Sequence, residues 1–471
     1  MSIGIVWLRA DLRLSDNPAL YAASQLCHTI IPIFIDDPTP STISQLGSAS
    51  RVWLHHTLAH LQHDLAQQGS QLILRQGPAL AVLQALIQET QATHVFWNRL
   101  YDPVSLERDT VIKKALSTQV SVQSFNGSLL YEPWQILKAD QTPFKVFTAY
   151  WKQVLKQGID QALTPVPLHL TAPKVQPHSL ALEQLNLLPK KPRWDIGMMQ
   201  GWSIGESAAQ QQLAHFLEFA VKDYATARDC PAMQGTSKLS PHLHFGSISP
   251  RQVLHATTQW KNTHPSHSQG IETFEREIGW REFGYYLLFH VPHTLTEPLD
   301  LRFNNFPWRA PTDYQADLKR WQQGQTGIPM VDAGMRQLWQ TGWMHNRVRM
   351  IVASFLTKNL LIPWQEGEAW FRDTLVDADL ANNVLGWQWT AGSGADAAPY
   401  FRIFNPVTQG EKFDPDGAYI QTYVPELKGC NSKVIHAPRQ LGENYNYPLP
   451  MVDLAASRAR ALAAFDAIKA R

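Results

Sequence analysis

Residues 3–9, IGIVWLR, and 29–35, TIIPIFI, are short and almost wholly apolar, and SQLILRQ at 70–76 and THVFWN at 93–98 repeat the texture. Between the second and third of these lies RVWLHHTLAHLQHDLAQQ, residues 51–68, whose apolar positions recur at three and four and predict a helix. Apolar strands alternating with helices make a parallel sheet covered by helices, so the first third reads as an α/β, Rossmann-like unit. Such a sheet binds ligands beyond its strand ends. No G-x-G-x-x-G follows any of these runs and no Walker sequence is present, which removes the main support for a pyridine nucleotide.

From about residue 131 the regularity fades. LTPVPLHLTAPKVQPHS, residues 163–179, carries four prolines; at that density helix and ladder are both prevented, and the stretch reads as a connector wrapping the surface. After residue 200 the texture is helical almost throughout. MVDAGMRQLWQTGW (330–343) and RMIVASFLTKNLLI (349–362) keep a helical period, and in SISPRQVLHATTQW (247–260) Ser249 is the expected N-cap with Pro250 in the first helical position. The expected organisation is an α/β domain over 1–130, a connector over 131–200 and an all-helical domain over 201–471.

At 471 residues and 44% hydrophobic, the chain can bury the cores of two or three folding units. It has no apolar run long enough to span a bilayer, and MSIGIVWLRADLRLSDN lacks the order of a signal peptide, so a cytoplasmic protein is expected. Cys27, Cys230 and Cys430 lie far apart without C-x-x-C spacing, which argues against a disulfide framework, a thiolate cluster or a metal. Lys and Arg number 41 against 40 Asp and Glu, and neither residues 1–200 nor residues 201–471 are basic overall. Any nucleic-acid binding must therefore use a local patch. Tryptophan is the unusual component: 11 of the 17 fall after residue 200.

Four long stretches carry a resemblance: GTSKLSPHLHFGSISPRQ (235–252), REIGWREFGYYL (276–287), GWMHNRVRMIVASFLTKNLLIPWQEGE (342–368) and GWQWTAGSGADAAPYFRIFNPVTQGEKFD (386–414). Together they resemble the DNA photolyase and cryptochrome family, over nearly the whole chain and most densely from Tyr224 to Asp416. The resemblance implies a non-covalent FAD in the helical domain and a light-harvesting chromophore in the α/β domain.

By that resemblance the flavin is held by Tyr224, by the loop Thr236, Ser237, Lys238, Leu239 and Ser240, and by Phe274, Arg281, Arg349, Asp377, Asp379 and Asn383. The loop offers hydroxyls and backbone N–H groups just before Pro241 opens a helix, which suits a pyrophosphate, although read alone a simple helix cap is the commoner reading. Arg349 is expected to pair with Asp377 beside the flavin ring, where a cation favours an anionic reduced flavin; seen singly, these residues are an ordinary ion-pair network. Asn383 is implied to face flavin N5, where its amide oxygen can accept a hydrogen bond without adding charge. Val384 and Leu385 stand where Asn and Gly often follow.

In DADLANNVLGWQWTAG (377–392), Trp387 and Trp389 lie two apart, roughly 200° around a helix, so they cannot share a face. The resemblance makes Trp387 the inner end of an electron-transfer chain through Trp364 to Trp308, while the bland reading of any tryptophan is core packing. Glu277, Trp280, Arg281 and Gly284 recur at three, four and seven, near one helical face. Trp280 would wall an extruded pyrimidine, and a protonated Glu277 would supply its edge partner. Arg228, Asn346, Arg347 and Gln409 match backbone-contacting positions, and Met350 and Trp389 complete the substrate set.

Asn346 and Met350 stand where repair enzymes for the (6-4) photoproduct carry two histidines, which favours the cyclobutane pyrimidine dimer. The expected activity is a carbon–carbon lyase reaction driven by light through fully reduced FAD, in a monomer acting on damaged DNA. The alternative is a cryptochrome-type photoreceptor, although the chain ends soon after YPLPMVD, without the long tail through which many cryptochromes signal. An Asn-Glu pair that contacts folate in bacterial members is replaced by Val104 and Ser105. A differently built 5,10-methenyltetrahydrofolate site remains the first expectation, ahead of a deazaflavin, a second flavin or an empty pocket.

Overall fold

A computed structural model describes residues 2–38, 45–160, 162–167, 170–174, 176–397, 401–438 and 446–469. Five strands, β1 (Ile3–Leu8), β2 (Thr29–Asp36), β3 (Ile73–Gln76), β4 (His94–Asn98) and β5 (Ser121–Phe125), form a parallel sheet in the order β3-β2-β1-β4-β5. The sheet and its covering helices are the α/β unit read from the sequence. The apolar runs at 3–9, 29–35 and 93–98 supply its three buried interior strands. The reading missed β5, SVQSF, an edge strand only partly covered, where no apolar run is required.

The stretch 131–200 is not bare coil. Phe147–Gln157 is a helix whose Phe147, Tyr150, Trp151 and Val154 are buried. These positions recur at three, four and seven, the spacing of one helical face. Trp151 packs against Gly279, where a Cβ would come within 2.7 Å of the indole, so this helix is seated on the Ser268–His290 helix of the second half. Arg13 ties the layers together further: it is 1% exposed and donates to the carbonyls of Gly246, Asp16 and Gly127.

The rest is helical, as expected. Ser249 caps Pro250–Thr263 by accepting from Gln252 N at 2.9 Å, with Pro250 in the first turn. Asp379 caps Leu380–Ala391, accepting from Asn382 N at 2.9 Å. Two glycines set how closely the central helices approach. A Cβ at Gly284 would lie 2.9 Å from Asn382 Oδ1, and one at Gly367 would lie 2.1 Å from the Trp387 ring. Ser268–His290, Trp364–Thr374 and Leu380–Ala391 therefore converge on one space, together with Asn346–Ser354.

Candidate functional site

That space is a cavity of about 540 Å³, within the roughly 300–1,000 Å³ of small-molecule pockets. One end is the loop GTSKLS. A Cβ on Gly235 would meet the Ala227 carbonyl at 2.5 Å, so glycine lets the loop lie flat on the turn after Tyr224. Lys238 is left-handed at φ 53° and Leu239 right-handed at φ −82°, and Gln212 holds the loop through the Ser237 carbonyl at 3.0 Å. Alternating hands turn successive N–H groups the same way, a nest for an anion. Ser237, Leu239 and Ser240 line the cavity with Tyr224, whose phenol is held protonated chiefly by burial. Thr236 and Lys238 do not line it; the Lys238 ammonium lies 5.9 Å from the Trp343 ring centre.

The middle is polar and paired. Arg349 Nη2 donates to both oxygens of Asp377, at 3.1 and 2.8 Å, while its Nε donates to the Met344 carbonyl at 2.7 Å. Asp379 accepts from the Tyr285 hydroxyl and lies 3.7 Å from His244 Nδ1. Burial alone would raise its pKa, but His244, Arg281 and Tyr285 outweigh that and hold it well below the usual carboxylate range. Asn383 donates its amide nitrogen to Glu368 O and Oε1, at 3.2 and 3.0 Å, which leaves the amide oxygen as the end available to a ligand. Trp387 is buried against Phe371 and Trp321, with ring centres 4.9 and 6.2 Å away. Its Nε1 and the His244 Nε2 are buried without partners in walls of this cavity.

The far end is aromatic. Glu277, Trp280 and Arg281 enter from Ser268–His290, Asn346 and Met350 from Asn346–Ser354, and Trp389 from Leu380–Ala391, whereas Phe274 of the same long helix lies at the loop end, 5.5 Å from the Tyr224 ring. Trp280 stacks on Phe147 with 3.9 Å between centroids and 13° between planes, so the connector helix backs this wall.

The cavity takes in only part of the expected residue set, and the expected role of Glu277 changes. Glu277 does not face the cavity as a lone acid: Arg228 Nη1 donates to it at 2.6 Å, which also removes Arg228 as a free cation. Arg347 and Gln409 do not line the cavity; Arg347 pairs with Asp229 at 2.7 Å, and the Gln409 Oε1 is buried without a partner. Gly284 does not line the cavity; it faces Asn382 and Leu385, which do. Trp364 and Trp308 are likewise outside the cavity lining; Trp364 is buried in the apolar cluster that contains Trp387, and Trp308 packs on that cluster and on Phe306 at 4.4 Å.

A second cavity of about 560 Å³ opens beyond the strand ends, lined by Trp7, Asp36 and Tyr101 and closed by His244, Arg281 and Asp379, which also line the first. Arg9 lies 4.4 Å from the Trp7 ring centre, and the Trp7 Nε1 is buried without a partner. Ser105 lines this cavity too, beside the Asp102 cap of Pro103–Leu116.

Residues 4–170 match DNA photolyase, and residues 274–467 match the FAD binding domain of DNA photolyase. The deoxyribodipyrimidine photo-lyase of Agrobacterium fabrum is 48% identical over 99% of this chain and 98% of its own. The chain belongs to the DNA photolyase and cryptochrome family. A crystal structure of a bacterial class III photolyase from Agrobacterium tumefaciens superposes with a TM-score of 0.94 at 47% identity, covering 100% of this chain and 98% of the other. Arabidopsis thaliana cryptochrome-2 is 40% identical over 96% of this chain and 77% of its own. The fold is thus a photolyase fold, and the matched domain supports FAD as the ligand of the helical half.

The photolyase cavity fits such a group on its own terms: an anion nest at one end, a paired guanidinium at its middle, and orphaned indole and imidazole nitrogens in its walls. Sequence reading had missed Glu368, His244, Tyr285 and Glu282. His244 lines the cavity itself, whereas Glu368, Tyr285 and Glu282 reach it through Asn383, Asp379 and Arg281, so motif position alone gives those three no role. Glu282 is fully buried, takes N–H donations from Leu130 and Arg281, and has its pKa pushed by burial up to about 7. Among the described residues no group of three or more His, Cys, Asp or Glu is placed to hold a metal, and no helix is long and apolar enough to cross a membrane.

Proposed function

We propose that this chain is a deoxyribodipyrimidine photo-lyase that opens cyclobutane pyrimidine dimers in DNA by light. The observation that carries the reading is one cavity combining an anion nest, the Arg349–Asp377 pair and Asn383 with a wall of Trp280, Glu277 and Met350. Bound in this cavity, fully reduced FAD would supply, on excitation by light, the electron that opens the dimer's two ring bonds and would accept it back, so that no atom is gained or lost.

The protein's own groups do the rest. The loop 235–240 holds the pyrophosphate through its N–H groups, with Tyr224 and Phe274 packed beside it. Arg349 keeps a positive charge beside the ring system and is itself fixed by Asp377. Asn383, oriented by Glu368, offers an amide oxygen to a protonated ring nitrogen. Trp280 gives a flipped base a stacking surface, backed by Phe147. Met350 and Asn346 leave this wall without the histidine pair of (6-4) repair. Trp387 is the entry point for an electron from outside, with Trp364 and Trp308 further out. The second cavity is the place for the antenna, with 5,10-methenyltetrahydrofolate preferred to a deazaflavin.

Identity of 40% to a cryptochrome supports a second reading, a photoreceptor that binds FAD without repair. The two separate in one experiment. Reduced protein is mixed with UV-irradiated oligothymidine under blue or near-UV light, and absorbance is followed in the thymine band. Recovery in light and none in darkness is expected; no recovery from reduced, FAD-loaded protein would sink the dimer-repair reading and favour the photoreceptor.

A further inference from the structure

The arginines offered to a phosphate backbone are already spoken for. Arg347 Nη2 donates to Asp229 Oδ1 at 2.7 Å, with its guanidinium 4.4 Å from the Phe413 ring centre. Arg228, the residue before Asp229, donates to Glu277 at 2.6 Å, and Arg349 is bound to Asp377. His345 adds no charge at neutral pH, because burial lowers its pKa to about 4. These three arginines are thus each paired with a carboxylate, in a chain whose net charge is +1. Asp229 does not itself line the cavity, although its charge also acts on Arg228 and Tyr224, which do; its side chain is 31% exposed and that of Arg347 18%, both within reach of solvent.

We propose that Asp229 is a built-in phosphate surrogate, which occupies Arg347 until a DNA phosphate displaces it and so sets the strength and salt dependence of sequence-independent binding. The inference rests on the DNA-binding reading above. A carboxylate at this distance gives a guanidinium the same charge-assisted acceptor as a phosphate oxygen. Forming the phosphate contact releases a counterion from DNA, but it strands the Asp229 charge, which then recruits a cation from solution. The net counterion release at this contact falls towards zero. The Phe413 ring holds the guanidinium plane, so the acceptor can be exchanged without moving the arginine.

The test uses FAD-loaded protein in darkness, with undamaged and dimer-containing oligonucleotides titrated by fluorescence anisotropy across a salt series. Asp229→Asn and Asp229→Ser should each bind both DNAs about three- to fivefold more tightly at low salt. Their log affinity against log salt should steepen by about 0.7 to 0.9, one phosphate contact's worth. The gain should vanish when Arg347→Gln is added, and Asp223→Asn, an exposed acid on the same segment, should give none. An unchanged slope in both Asp229 variants would overturn the proposal. So would an equal gain in the Arg347→Gln background, or the same gain from Asp223→Asn, since the effect would then be general charge. If the unsubstituted protein binds neither DNA, the DNA-binding reading falls and takes this inference with it; binding with no Asp229 effect sinks the inference alone.

Discussion

Glu282 shows how far burial can move a single group. Its carboxyl is pushed from 4.5 up to about 7 because it has left water, and the Arg281 guanidinium with the backbone N–H groups of Leu130 and Tyr131 only partly compensates. Between those two pH values the unfolded chain has lost the proton and the folded chain still holds it. Stability therefore falls as pH rises through the window and is level above it, a loss of about 3 kcal/mol. Glu282→Gln should flatten that fall, measured by urea unfolding at several pH values across the window; parallel curves for the two proteins would contradict the assignment. Trp280 and Trp387 separate binding from electron supply. Trp280→Ala should weaken dimer binding by on the order of 1 to 3 kcal/mol and leave undamaged DNA almost unaffected, as read by dark titrations. Trp387→Phe should slow photoreduction of oxidised flavin, followed by absorbance, while chemically reduced variant still repairs; equal photoreduction rates would remove Trp387 from the route. The residues of the cavity were legible because the motifs carry them in fixed order. Their partners were not: Glu368 lies fifteen positions before Asn383, and Asp229 lies 118 before Arg347, so only folding brings each pair together.

Helix packing at the site depends on what two glycines leave out. Gly367 gives the Trp387 ring its space, and a methyl there would sit 2.1 Å from it. Gly367→Ala should cost roughly 1–3 kcal/mol as an overpacked core, whereas Gly386→Ala, on a helix position that opens into the cavity with nothing within 4 Å of the added carbon, should stabilise the flavin-free protein by up to about 1 kcal/mol through helix propensity. Thermal unfolding of the two variants checks the contrast, and equal effects would mean that Trp387 is not seated against Gly367. The Ser249 cap and the four apolar strands could be read directly, since capping chemistry and buried-strand composition are local. The Phe147–Gln157 helix escaped notice beside the proline-rich stretch, although its burial spacing is a plain helical face. It matters because Phe147 is the support under Trp280.

Across the full chain, the α/β sheet, the connector helix and the helical half meet at shared walls. His244, Arg281 and Asp379 belong to both cavities, which brings the proposed antenna and flavin sites to opposite sides of one layer of side chains. That arrangement follows from the long-range order of the elements and was invisible in any single motif. The central claim is that the helical cavity joins a flavin to a flipped dimer. Its most direct test is single-turnover illumination of reduced, FAD-loaded protein with an oligonucleotide carrying one defined cyclobutane dimer, beside one carrying a (6-4) photoproduct, with both followed by chromatography of the strands. The account predicts light-dependent restoration of the dimer-containing strand alone, with Trp280→Ala shifted to higher DNA concentrations. Restoration of the (6-4) strand, or none of either by protein that binds both DNA and reduced FAD, would contradict it.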